Sequence, residues 1–252
     1  MTTPNSQFLQ FIFPTPMFVG TSNDEKARAS IEALSYAYLK ESYEQERAEG
    51  LVSEGWTDHI KTADVEKKKK MGITSFFNDN LVHNEDWKDA YDFILNMAGT
   101  MLSEHHNVQG MKIANMWTTI YPDDAFVPEH IHACFSISGV YYVKAPKDCG
   151  NIVFRDPSWV AKTMNVWAGN KTFPHDGTTH SYTPEPGLMI LFPSWLPHST
   201  RPNLSGEDRI IVSFNLDFGE VNFNAKLHDG VDLTKQNPNV ANTESSKLRD
   251  GE

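Results

Sequence analysis

Cysteine is scarce in this chain. Only Cys134 and Cys149 occur among 252 residues, so no disulfide framework underlies the fold, and a reducing cytoplasm is the expected setting. No run approaches the roughly 18 consecutive apolar residues that a membrane span needs, and none is expected here. The opening MTTPNSQFLQFIFPTPMF lacks a basic start and a small-residue cleavage site, so no secretory signal is expected. Positive charge is also in short supply: 22 Lys and Arg stand against 33 Asp and Glu, a formal charge of −11. That balance argues against nonspecific binding to nucleic acid or to an anionic membrane and leaves small-molecule chemistry open. Internal repeats are absent. No aromatic follows Phe223, and the polar stretch 224–252 has too little apolar surface to fold alone.

Aromatic residues are plentiful before that point, with 15 Phe, 8 Tyr and 6 Trp, and 39% of the chain is hydrophobic. This suits one domain, expected over 1–223, followed by the tail. Residues 8–20 read as a short edge strand broken by two prolines. Ser22 and Glu25 have the spacing of a capping box, and Ala27, Ile31, Leu34 and Tyr38 recur behind them on one helical face. The spacing predicts a helix over about 23–48, ended by Gly50. A loop with Gly55 and Trp56 follows, then the run Lys67–Lys70, which reads as a solvated surface patch. A second helix is expected over about 84–106, with Trp87, Tyr91, Ile94, Ala98 and Met101 as its buried stripe.

From residue 110 the pattern turns to short β-branched and aromatic segments separated by Pro, Gly, Asn and Asp. Strands are expected over 111–121, 130–137, 139–144, 150–154, 162–167, 178–183, 187–192 and 209–218. Eight short strands in so few residues indicate a mainly β jelly roll, a double-stranded β-helix, over 110–220, with the elements of 1–109 buttressing it.

Three features of that region carry chemistry. His130 and His132 open an expected strand, where residues i and i+2 share a face, so both imidazoles can reach one metal. The plainer reading is a pair of rim histidines bonded to backbone. In Pro186–His198 a turn feeds an apolar strand that ends in prolines and delivers His198 past its end, where it can meet the first pair. Arg209 heads the last strand, sharing a face with Ile211 and Ser213 while Ile210, Val212 and Phe214 share the other. A guanidinium facing a barrel interior needs a partner, and an incoming carboxylate offers bidentate pairing. Pairing with Asp208 or Glu207 is the alternative.

As a set, these motifs resemble the 2-oxoglutarate/Fe(II)-dependent oxygenases, and within them the oxygenase group of bacteria and phages with a prolyl-hydroxylase-like barrel. The resemblance rests on His130-x-His132, Ser138-Gly139-Val140-Tyr141-Tyr142-Val143, Phe154-Arg155-Asp156-Pro157, Phe192 to His198, and Arg209 with Ser213-Phe214-Asn215. It covers about 111–217 and extends weakly to Phe13-Pro14-Thr15-Pro16. It implies a non-haem Fe(II) site at His130 and His198, with Arg209 holding the distal carboxylate of 2-oxoglutarate and Tyr142 and Ser213 assisting. The implied activity is a hydroxylase that couples O2 and decarboxylation of 2-oxoglutarate to succinate with oxidation of a C–H bond.

One departure stands out: the superfamily's second ligand is usually a carboxylate, and here that place holds His132. Either His132 is a third ligand, which we favour, or it stands behind the ligands, or Asp156 or Glu129 supplies the carboxylate. Asn115, Trp117 and Trp195 are candidate pocket residues; Trp159 and Trp167 are candidates for an aromatic wall. Cys134 is expected on the His130/His132 face, and His175 and His180 near the mouth. Rival readings are a cupin-like three-His dioxygenase or isomerase without 2-oxoglutarate, and a jelly-roll binding module without catalysis. The substrate, a small molecule or a peptidyl side chain, is not legible. The N-terminal helices can also form the interface of a homodimer.

Overall fold

Strands that carry apolar residues on both faces must be covered on both faces, and this requirement organises the molecule. The computed structural model describes residues 15–40, 72–76, 80–104, 108–160 and 178–218. The chain divides into a unit Met1–Asp217 and a unit Phe218–Glu252; the expected tail over 224–252 lies outside the described residues. The first unit contains β1 (Phe18–Thr21), α1 (Glu25–Tyr38), β2 (Ile73–Thr74), α2 (Lys88–Leu102), β3 (Lys112–Tyr121), β4 (Ile137–Lys144), β5 (Ile152–Arg155), β6 (Thr179–Tyr182), β7 (Leu188–Pro193), β8 (His198–Thr200) and β9 (Arg209–Asp217).

The strands form two antiparallel sheets, one of six in the order β1-β7-β4-β9-β3-β2 and one of three in the order β6-β5-β8. Together they make the jelly roll expected from the strand count. Strand β9 lies between β3 and β4 and is buried along almost its whole length. Its inward row is Arg209, Ile211, Ser213 and Asn215. Cross-strand register sets Tyr121, Thr119, Trp117 and Asn115 of β3 opposite these four, and Ser138 and Val140 of β4 opposite Asn215 and Ser213. A register shift between Ile113 and Asn115 brings Asn115, rather than Ala114, opposite Asn215, the re-aiming expected of a bulge. Between the sheets Val140, Tyr142, Phe154, Ile190, Phe192 and Leu196 pack as one core.

The opposite face of the large sheet is closed by the helices. Ile31 and Ser35 are the buried positions of α1, and Ser35 receives a hydrogen bond from Thr118 Oγ1 at 2.8 Å. Ala90, Ile94, Ala98 and Leu102 form the buried stripe of α2, and Phe93 meets Tyr141 edge-on with centroids 5.4 Å apart.

Several expectations are corrected. The N-cap of α1 is Asp24, whose carboxylate accepts from Ala27 N–H at 2.9 Å. Ser22 does not take that role: its Oγ accepts from Asp24 N–H at 3.2 Å, and its own N–H is bonded to Gly187 O. The second helix is preceded by a separate 3-10 turn at Glu85–Trp87. Residues 131–136 form no strand; β4 begins at Ile137, and His130 makes only an isolated bridge. Strand β8 was not expected. The distal part of the first helix, Trp56, Lys67–Lys70 and the strand expected over 162–167 lie outside the described residues, except that 40 is the last described position of the helix region.

Candidate metal centre

Backbone pairing delivers the three histidines. His130 N–H donates to His198 O at 2.9 Å and His198 N–H donates back to His130 O at 3.0 Å. His132 N–H donates to Ser194 O at 2.9 Å. The segment 130–132 is therefore held extended by two points of the chain that are remote in sequence. Extended backbone alternates its side chains, so Ile131 is 53% exposed while His130 and His132 turn inward. Ring centroids of His130, His132 and His198 lie 4.3 to 5.2 Å apart, and one nitrogen of each lies within 4.8 Å of the others.

The second nitrogen of each ring is committed elsewhere. Nδ1–H of His130 donates to Pro128 O and that of His198 to Leu196 O, both at 2.9 Å. Nδ1 of His132 lies 2.8 Å from Asn215 Oδ1 and 2.9 Å from Ser138 Oγ. With the protons on Nδ1, three Nε2 lone pairs converge, the state in which imidazole binds a metal. Burial pushes the pKa of His198 down to about 3 and of His132 to about 4, and lowers that of His130. All three rings are thus neutral near pH 7. Nε2 of His130 and Nε2 of His132 face each other at 3.3 Å, an arrangement of lone pairs that a cation stabilises. Three imidazole donors suit Fe(II), Zn, Ni or Cu.

The carboxylate alternatives do not join them. Glu129 is drawn to Arg155, Oε2 to Nε at 2.6 Å, and Asp156 accepts from Ser158 N–H in a local turn. Among the described residues, the three histidines are the group able to hold a metal ion.

A cavity of about 400 Å³ runs from these rings to Arg209. Arg209 is fully buried. Its Nη1 donates to Cys149 O and Gly150 O, and its Nη2 to Thr200 Oγ1 at 3.1 Å, while its guanidinium lies 4.2 Å from the Tyr121 ring. Its Nε has no partner, and no carboxylate pairs with it among the described residues. The pairing with Asp208 or Glu207 is thereby replaced: Asp208 accepts from Tyr36 and Glu207 lies near Lys144. Tyr142 and Ser213 line the same cavity. Burial raises the Tyr142 pKa further above its ordinary value than the nearby Arg209 lowers it, so the phenol keeps its proton.

Asn115 and Trp117 line the cavity. Trp195 does not: it is 51% exposed in the turn after β7, which sends Ser194 and Leu196 inward and the indole outward. Cys134 is exposed, because a left-handed backbone (φ 70°) at that residue breaks the alternation begun at His130. His180 is exposed beside Tyr182, and Trp159 is 40% exposed against Arg155; neither lines the cavity. His175 and Trp167 lie outside the described residues. Ser138, Asn215, Thr200 and Tyr121 were missed. Counting by twos from Arg209 reaches Asn215, which is the signal that could have found it.

Residues 115–215 match the model of the family described as "Putative 2OG-Fe(II) oxygenase". No curated protein matches the chain. Among solved structures, a Pseudomonas putida prolyl-4-hydroxylase is similar at 17% identity and a TM-score of 0.49, over 80% of this chain and 92% of that one. EctD from S. alaskensis, with 2-oxoglutarate and 5-hydroxyectoine, is similar at 14% identity and a TM-score of 0.48, over 81% and 72%. A prolyl hydroxylase from Trichoplax adhaerens, in complex with a peptide fragment, is similar at 12% identity and a TM-score of 0.45, over 80% and 83%.

Proposed function

We propose that this chain, whose residues 115–215 match the oxygenase family model, is a 2-oxoglutarate/Fe(II)-dependent hydroxylase. One oxygen atom of O2 enters a substrate C–H bond and the other enters succinate, as 2-oxoglutarate loses CO2. The observation that carries this reading is the pairing, within one cavity, of three converging imidazoles and a buried guanidinium without a carboxylate partner.

His130, His132 and His198 would hold Fe(II), which when bound supplies the O2 chemistry that protein side chains lack. The remaining work belongs to the chain. Arg209, held by backbone carbonyls and Thr200 and set over the Tyr121 ring, keeps its buried Nε without a hydrogen-bond partner, a donor left for an anion. The distal carboxylate of 2-oxoglutarate fits that need. Tyr142 and Ser213 add neutral hydroxyl groups between the two ends. The core residues Phe154 and Phe192 pack against His198 with centroids 5.9 and 4.6 Å away, and they exclude water from one flank of the centre.

The substrate side is apolar. Phe76, Trp117, Ile131 and Phe135 line the cavity near the histidines, and Arg209 is the one charged residue in its lining among the described residues. The substrate atoms that approach the metal are therefore uncharged, for instance an aliphatic segment of a small molecule or of a peptidyl side chain. The free thiols of Cys134 and Cys149 are compatible with a reducing, cytoplasmic setting. No helix among the described residues is long and apolar enough to cross a membrane.

A three-His dioxygenase or isomerase that needs no 2-oxoglutarate is the second reading, favoured by the neutrality of all three donors. Anaerobic titration of the metal-free protein with Fe(II) and 2-oxoglutarate separates the two. A saturable visible charge-transfer band that is lost in His198→Ala supports the hydroxylase. Tight iron binding with no band on adding 2-oxoglutarate points to the second reading, and failure to bind iron removes both.

A further inference from the structure

We infer that Asn215 is a positioning residue whose amide oxygen, held by Ser138, fixes the tautomer of His132 and so lets a neutral ring stand where a carboxylate ligand is usual. The inference rests on the metal-centre reading above.

A neutral imidazole offers its Nε2 lone pair only when its proton sits on Nδ1. For His130 and His198 that choice is made by backbone carbonyls, which can only accept. His132 differs, because its Nδ1 faces two side chains, and a side-chain amide or hydroxyl can present either polarity. Asn215 resolves the ambiguity. Its Oδ1 accepts from Ser138 Oγ at 2.7 Å, and Ser138 Oγ is itself 2.8 Å from Ser194 Oγ. Its Nδ2 turns the other way, to Asn115 Oδ1 at 3.4 Å. In this arrangement the oxygen is the end that meets the imidazole. Ser138, Ser194 and Asn215 are at most 3% exposed, so bulk water does not substitute for any member.

The competing state is explicit in the geometry. With its proton on Nε2, His132 could donate to Nε2 of His130, 3.3 Å away. That bond would satisfy both rings and occupy the Nε2 atoms of both, leaving His198 as the one free donor of the three. The amide of Asn215 tips the balance toward the metal-binding tautomer. The bulge that sets Asn115 opposite Asn215 belongs to the same device, since it places the acceptor that orients the amide.

A double-mutant cycle tests this with Co(II), and with Fe(II) under anaerobiosis, by chelator competition on the full chain. The four proteins are the unaltered chain, Asn215→Leu, His132→Asp and the double variant. Loss of a bond behind a metal ligand typically weakens metal binding roughly ten- to hundredfold, and Asn215→Leu is expected to fall in that range. In the His132→Asp background the same change is expected to leave affinity within about twofold, because a carboxylate has no tautomer to fix. Asn215→Asp retains the acceptor and is expected to keep the affinity. If Leu is not accommodated at 215, Asn215→Ala takes its place in the cycle, with circular dichroism reporting the fold. Unchanged affinity in Asn215→Leu overturns the inference, and so does an equal loss in both backgrounds, which marks a merely structural role. Failure of the unaltered chain to bind either metal overturns the metal-centre reading itself, and this inference with it.

Discussion

His130 and His198 are joined twice, once by a reciprocal pair of backbone hydrogen bonds at 2.9 and 3.0 Å and once by rings whose centroids lie 4.3 Å apart. Residues 68 positions apart in sequence are thereby locked into one geometry before any ligand arrives. Each ring is also anchored through Nδ1 to the carbonyl two residues earlier, Pro128 for one and Leu196 for the other. Preorganisation of this kind keeps the Nε2 atoms aimed at a common point. The pair forms one side of the centre, and His132, held by side chains instead, forms the other.

Removing the guanidinium should separate cosubstrate binding from metal binding. Charge-assisted hydrogen bonds contribute about 1.5–3 kcal/mol each, so Arg209→Met should weaken 2-oxoglutarate binding by at least about tenfold while Fe(II) affinity stays near that of the unaltered chain. The change also removes the Arg209 donor from Cys149 O and Gly150 O, while Thr200 Oγ1 keeps the Val127 N–H, so a lower thermal midpoint is expected as well. Arg209→Lys keeps the charge but not the fork, and should fall between the two. Anaerobic titration of the visible band measures all three proteins. Equal 2-oxoglutarate affinity in Arg209→Met would show that the anion is held elsewhere.

The period-two count along β9 was legible from the residues alone, because Ile210, Val212 and Phe214 are too apolar to face anything but packed helices. The same count puts Arg209, Ile211 and Ser213 inside. His130 and His132 were legible as a pair for the right geometric reason, although the backbone that spaces them is not a ladder strand. What fixes it are carbonyls at Ser194 and His198, and pairing so remote in sequence leaves no local signal. Cys134 was misplaced because its left-handed backbone breaks the alternation assumed for it, and Trp195 because the turn after β7 sends the indole outward. The capping box at Ser22 failed because the helix starts later, at an Asp24 cap, while Ser22 Oγ accepts from Asp24 N–H and Ser22 N–H is bonded to Gly187 O. Asn215 lay within a phrase already singled out, yet its role depends on a neighbour, Asn115, that only strand register reveals.

The buried imidazoles also set a pH dependence. In the unfolded chain each histidine titrates near 6.5, whereas in the folded, metal-free protein burial brings His198 to about 3 and His132 to about 4. Between those limits the unfolded state binds more protons, so stability rises with pH and is complete above about 6.5. It declines as pH falls below that value toward 4 and then 3. Urea midpoints of metal-free protein at pH 7.5, 6, 5 and 4.5 should trace this decline. His198→Gln should flatten it; an identical slope in that variant would rule out His198 as a source.

Gly139 occupies the crossing point of three strands, opposite Leu191 on one side and Phe214 on the other. A Cβ there would overlap the Phe214 ring and crowd Leu191 Cδ2. Both neighbours are fully buried and have nowhere to retreat. Overpacking of this sort costs about 1–3 kcal/mol or more, so Gly139→Ala should lower the denaturant midpoint clearly. Phe214→Leu should recover part of the loss when combined with it, since a smaller side chain vacates the overlapped space. Additive destabilisation in the double variant would mean that the overlap is not the cause.

Tyr142 offers the finest test of how the cosubstrate is oriented. Its hydroxyl lines the cavity, makes no hydrogen bond to the described residues, and stays protonated because burial raises its pKa. It can therefore donate to a carboxylate bound at Arg209 throughout the accessible pH range. Tyr142→Phe removes only the hydroxyl, and a single neutral donor contributes about 0.5–1.5 kcal/mol. The expected result is a two- to tenfold weaker 2-oxoglutarate titration, by the same estimate, with metal affinity and thermal midpoint little changed. Ser213→Ala, on the neighbouring strand of the same sheet face, should behave similarly, and the double variant should approach the product of the two losses if the hydroxyls act independently. A Tyr142→Phe protein that binds 2-oxoglutarate as well as the unaltered chain would leave Arg209 and Ser213 as the anion's polar contacts and assign the Tyr142 ring to core packing alone.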